Sequence, residues 1–179
     1  MKNNLKNSIL LLIGFTLLQS CSKSDTSANN STSTTITIGN QVWMKKNLEV
    51  DHYRNGDPIP QVTDPTEWSN LTTGAWCYYN NDPVNGATYG KLYNWYAVND
   101  PRGLAPAGYH IPSDSEWTIL TNYLGGINTA GSKMKETVTV HWTSPNTCAN
   151  NSSGFSGLPA GYRTQKSTLV FSDLGGTAY

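Results

Sequence analysis

Twelve acidic side chains, three histidines and three cysteines are the groups in this 179-residue chain that could do covalent or acid–base chemistry. Their spacing is unpromising for it. His52, His110 and His141 are scattered among tyrosines and tryptophans, no serine sits in a nucleophile elbow, and phosphate-loop, dinucleotide and metalloprotease motifs are absent. His110 reads as a packed residue ahead of a helix rather than as a general base. Neither Cys77 nor Cys148 has a second Cys or His at zinc-ligand spacing. In an oxidising compartment those two could form one bridge, provided their Cα atoms come within about 7 Å, which spacing alone leaves open. Asn80, Asn81, Asp82 and Asn85, or Asn99 and Asp100, could offer oxygens to calcium, but the runs lack the carboxylates of a tight site and read as Asx turns. The expectation is no metal and no cofactor. Six Trp and ten Tyr in an Asn-rich chain are instead the materials of a binding surface, since an aromatic face covers sugar C–H patches while amides meet hydroxyls.

Composition narrows the partners. Charged residues make up 13% of the chain against a usual ~25%, so the surface is neutral and hydrogen-bonding. Removing Lys2 and Lys6 with an N-terminal signal leaves ten basic against twelve acidic side chains, a net charge of −2. A nucleic-acid partner, which requires a basic face, is excluded on that balance.

Several elements must hold these side chains. Thr35-Ile-Thr-Ile-Gly-Asn-Gln-Val-Trp43 alternates apolar with polar around Gly39-Asn40, which predicts an opening hairpin. Asp64-Pro65 starts a helical turn, and Gly74 to Tyr79 reads as a buried strand. Asn80 to Gly86 reads as a loop. Two Asn-Asp-Pro runs, at 81–83 and 99–101, are ordinary turn residues rather than a repeat. Ser113 and Glu116 fit a capping box, Trp117, Leu120 and Leu124 share one face behind it, and Gly125-Gly126 supplies the stop. Asp114 and Glu116 are explained by that helix start, where negative charge is favourable. A second short helix over Ala130 to Glu136 would carry Met134 inward, and a last strand is expected around Leu169 to Phe171.

The N-terminus says where the chain goes. A basic start, an apolar run from Ile9 to Leu18 and the ending Leu18-Gln-Ser-Cys21 read as an export signal, too short for a membrane span of ~20 apolar residues. The ending resembles the lipobox of bacterial lipoproteins, although Gln19 departs from the small residue usual there. The resemblance implies a signal over 1–20, cleavage before Cys21, lipid on Cys21 and anchorage in the cell envelope, at the outer membrane or cell surface. Two or more acyl chains, at ~0.8 kcal/mol per buried CH₂, are enough for stable anchoring. Residues 21–35 are a polar tether without a large apolar residue.

Five ordered blocks then resemble one family: Ile38-Gly-Asn-Gln-Val-Trp-Met-Lys-Lys-Asn-Leu48, Trp68-Ser-Asn-Leu-Thr-Thr-Gly-Ala-Trp-Cys-Tyr78, Tyr89-Gly-Lys-Leu-Tyr-Asn-Trp-Tyr-Ala-Val98, Gly108-Tyr-His-Ile-Pro-Ser-Asp-Ser-Glu-Trp117, and Asn151-Ser-Ser-Gly-Phe-Ser-Gly-Leu-Pro-Ala-Gly-Tyr-Arg163. Together they resemble the Fibrobacter succinogenes major paralogous domain, over 36–179. The resemblance implies an α+β, C-type-lectin-like fold with a small antiparallel sheet, one or two helices and long loops. The family commonly has a cysteine where Ala105 stands, and it continues into closing strands, so a chain stopping at Tyr179 is expected to be incomplete, with an exposed edge. It has no established activity. Because lectin-like folds draw their ligand face from late irregular loops, Trp142, Asn150, Asn151, Tyr162 and Arg163 are the candidate ligand residues, with Tyr162 and Arg163 alternatively fastening the turn before them. The expected partner is a glycan or protein. The rival readings are a structural envelope protein without diffusible ligand, and an enzyme acting on polysaccharide.

Overall fold

The computed structural model describes residues 33–164 and 170–178. Residues 1–32, with the expected signal and Cys21, lie outside the described residues, as does Leu169. The chain is α+β, with five α-helices and three small antiparallel sheets among the described residues. That is more helix than the one or two expected, and three separate two-stranded ribbons in place of one small sheet. No described helix is long and apolar enough to cross a membrane.

Strands β1 (Thr35–Ile38) and β2 (Gln41–Met44) form the expected hairpin, with Gly39 at a φ of 61° in the turn. Register pairs Ile36 with Trp43 and Ile38 with Gln41, so these four side chains share one face. That face meets helix α4 (Asp114–Tyr123), where the capping box at Ser113 forms as expected and Gly125 and Gly126, both at positive φ, end the helix. Ile38, Leu120, Leu124 and Ala130 make the buried cluster between them. Met134 of α5 (Ile127–Met134) packs against it, as the sequence predicts, although α5 starts three residues earlier than its pattern suggested.

Asp64 caps α1 (Pro65–Asn70), accepting from the Glu67 amide at 2.7 Å, and Trp68 turns into the core. Strand β3 (Trp76–Cys77) pairs with β4 (Leu92–Tyr93). Between them the expected loop is instead a 3₁₀ turn and helix α2 (Pro83–Tyr89), because Asp82-Pro83 repeats the cap-then-proline start of Asp64-Pro65. Gly86 disguises this helix. It stands where a Cβ would overlap the Tyr78 ring, so close packing rather than turn geometry demands it. The second Asn-Asp-Pro run starts no helix; there Asp100 accepts from both the amide and the guanidinium of Arg102.

Asn94 caps α3 (Trp95–Val98) from inside the core. Its Oδ1 accepts from the Ala75 and Ala97 amides, both at 3.0 Å, and its Nδ2 donates to the Thr73 carbonyl at 2.8 Å. Strands β5 (Ala160–Arg163) and β6 (Phe171–Leu174) close the described chain as a third ribbon, the last strand lying two residues beyond its expected start. Two further clusters fill the interior: Tyr53, Ile59, Trp76, Ala97 and Leu104, and beside it Val62, Trp68, Ala75 and Cys77.

Gly74 packs against the first of these clusters, and a Cβ there would overlap the Tyr53 hydroxyl. Gly74→Ala is expected to lower stability by about 1–3 kcal/mol. Adding Tyr53→Phe removes the overlapped oxygen and recovers part of the loss, as urea denaturation of the single and double variants would read.

Candidate functional site

A groove lies between β2, the start of α4 and the segment from Ala105 to Pro112, with a volume of about 550 Å³. Its aromatic wall is made by residues far apart in sequence. Trp43 on β2 and Trp117 on α4 have ring centroids 4.8 Å apart at 42°, and Phe155 meets Trp43 edge-on at 6.4 Å. Trp117 keeps 38% of its surface exposed, so its ring belongs to the groove as well as to the helix face.

The hairpin and helix are tied by Gln41, whose Nε2 donates to the Glu116 carbonyl at 3.0 Å. Glu116 also serves the cap and the groove at once. Its Oε2 accepts from the Ser113 amide at 2.8 Å, while its Oε1 lies 2.7 Å from His110 Nε2. These contacts, the Ser113 backbone and hydroxyl first and His110 after them, lower the Glu116 carboxyl to about 2. His110 is therefore not the packed residue expected: its side chain is 68% exposed at the groove and oriented by Glu116.

Arg54 fixes the opposite wall, donating through Nη2 to the Ala105 carbonyl at 3.0 Å and the Tyr109 carbonyl at 2.9 Å. Trp43 Nε1 and Gln41 Oε1, on the strand face that lines the groove, are buried and have no hydrogen-bond partner among the described residues. Leaving such a group unmet costs about 1–3 kcal/mol. Chemically the groove offers aromatic faces to an apolar C–H surface, with imidazole, amide and the Lys46 ammonium at its margins.

The late-loop candidates have other occupations. Trp142 is buried, its Nε1 donates to the Gly157 carbonyl at 3.0 Å, and Lys135 covers its ring. Asn150 closes an Asx turn onto the Ser152 amide. Asn151, at a φ of 46°, grips Ser156 through both ends of its amide. Tyr162 lies on β5, half-buried. Arg163 stacks on Trp68 and donates to the carbonyls of Val62, Thr63 and Asp64, fastening the segment before α1 rather than the preceding turn. The structure brings none of the five to the groove, whose late-loop member is Phe155.

The two cysteines are not bridged. Cys77 is sealed in the core on β3, whereas Cys148 is exposed on a loop at a φ of 61°. Burial pushes the Cys77 thiol up, with the neighbouring Arg163 guanidinium opposing it. The oxygen-rich runs weighed for calcium are engaged too. Asp82 caps α2, Asn81 and Asn85 donate to carbonyls, and Asp100 binds Arg102. Among the described residues no three His, Cys, Asp or Glu side chains gather as a metal site.

Nothing in the pattern of Trp43, Trp117 and Phe155 announces a site, because each reads singly as core. The available signal was Gln41 two residues before Trp43, a polar side chain on the inward face of a hairpin.

Residues 36–179 match the family model of the Fibrobacter succinogenes major domain, and the chain belongs to that family. No curated protein and no solved structure matches the chain significantly.

Because Glu116 is held below its usual 4.5, its contribution to stability is complete above that value and is lost as pH falls towards about 2. The stability gap between wild type and Glu116→Gln is expected to be widest at neutral pH and to close over that acid range, measured by denaturant titration at each pH. For the thiols, iodoacetamide should label Cys148 in the native protein and Cys77 only after unfolding, as peptide mass mapping would show.

Proposed function

We propose that the protein is a cell-envelope lipoprotein, anchored through Cys21 at the outer membrane or cell surface, whose non-catalytic, C-type-lectin-like domain binds a glycan in the groove between β2 and α4. The observation that carries this reading is the contact between half-buried Trp43 and exposed Trp117, which walls a groove of about 550 Å³. Pockets of this size bury most of a small ligand, and a few polar groups among aromatic ones orient it. The lipobox-like ending and the polar segment 21–35 support the envelope address. This reading moves the ligand site from Trp142, Asn150, Asn151, Tyr162 and Arg163, none of which lines the groove, to the groove itself.

A structural role without diffusible ligand draws on a different observation, the exposed Ile119, Tyr123 and Ile127 on α4 and α5. Concentration-dependent self-association with no glycan binding would favour it.

The test is a glycan array followed by calorimetry on the full chain. Saturable binding that weakens at least tenfold in Trp117→Ala, with the fold intact by circular dichroism, is the expected outcome. Binding that ignores Trp117→Ala and His110→Ala would place the ligand elsewhere, and no binding to any glycan would overturn the reading.

A further inference from the structure

A second depression, of about 190 Å³, lies beside the groove, lined by Lys45, Asn47, Glu49, Thr88 and the stretch from Phe155 to Leu158. Lys46 and Phe155 line both. The two depressions therefore share an aromatic ring and a cation in their walls, and a ligand occupying both would pass them. A single sugar ring would fill one depression and leave the other empty. A linear chain would use both.

Charge at the junction chooses among linear chains. Lys45 and Lys46 are exposed, and neither ammonium has a carboxylate within 4 Å among the described residues. The nearby acids are differently placed. Glu116 is already satisfied by Ser113 and His110. Glu49, exposed in the smaller depression and without an ion-pair partner among the described residues, leaves that depression with two lysines against one carboxylate, so the excess positive charge lies at Lys45 and Lys46. A cation left unpaired beside aromatic walls is complemented by an anionic group carried on an otherwise apolar-faced ring. A uronate has both, a carboxylate at one edge and a C–H face for stacking.

Resting on the glycan reading above, we propose that the two depressions form one binding track for an acidic polysaccharide, with sugar rings on either side of Phe155 and a uronate carboxylate held by Lys46. Lys45, at the margin of the smaller depression, adds attraction without a fixed contact.

Full-length protein titrated by calorimetry with oligogalacturonate, alginate and hyaluronan oligomers, and with neutral xylan, mannan and β-glucan oligomers of matched length, tests this. The expected result is that at least one acidic oligomer binds about tenfold tighter than every neutral one, gains affinity from short to longer chains, and weakens with added salt. Lys46→Gln should weaken acidic oligomers about tenfold more than neutral ones, abolishing the acidic preference, without shifting the melting temperature, because Lys46 is exposed and makes no hydrogen bond or ion pair among the described residues. Trp117→Ala should weaken both classes. Neutral oligomers bound as tightly as acidic ones, or an acidic preference that survives Lys46→Gln, would overturn the track and leave the glycan reading standing. Polyglutamate bound as tightly as the best uronate would overturn it in favour of an acidic protein partner. No binding by either sugar set would remove the glycan reading itself.

Discussion

Backbone polar groups must be paired when buried, and this chain has very little ladder with which to pair them. Its strands run two to four residues, in ribbons of two. Side chains supply what the sheets do not. Asn94 meets two amides and a carbonyl inside the core, Arg163 gathers three successive carbonyls, Arg54 holds two, and Asn81, Asn85 and Asn146 each donate to backbone. The composition follows from this. Amides and hydroxyls reach carbonyls without the desolvation cost of an ion, and the guanidinium adds a rigid fork where several acceptors converge.

The groove is a product of the same economy of sheet. Its walls come from the first hairpin, from the start of a helix some seventy positions later and from Phe155 in the late loops, and no strand pairing joins them. What joins them is one amide, Gln41 to the Glu116 carbonyl, the ring contacts of Trp43 with Trp117 and Phe155, and the Ile38–Leu120–Leu124 cluster beneath. Glu116 then couples helix start to groove lip, since the carboxylate that closes the capping box also sets the direction of the His110 ring.

Local elements were legible in the sequence where one physical rule decided them. The Gly39-Asn40 hairpin, the Asp64-Pro65 start and the Ser113–Glu116 box each depend on residues within a few positions. Helix α2 was missed because Gly86 argues against helix on propensity, and its reason for being there, the Tyr78 ring, is a tertiary contact. The site was the least legible part. Trp43 and Trp117 become a pair only when hairpin meets helix, and the late segments that drew attention by their irregularity spend their polar groups on holding the fold. Arg163 is the sharpest instance, a cation that looks available in the sequence and is committed about a hundred positions away.

Three ribbons that share no hydrogen-bonded edge also behave differently from one continuous sheet. Fraying in β5–β6 has no ladder along which to spread to β1–β2, so each ribbon opens on its own free energy, set by the side chains beneath it. Amide protons of the first hairpin would then exchange at a rate governed by its grip on α4, independent of the far end of the chain.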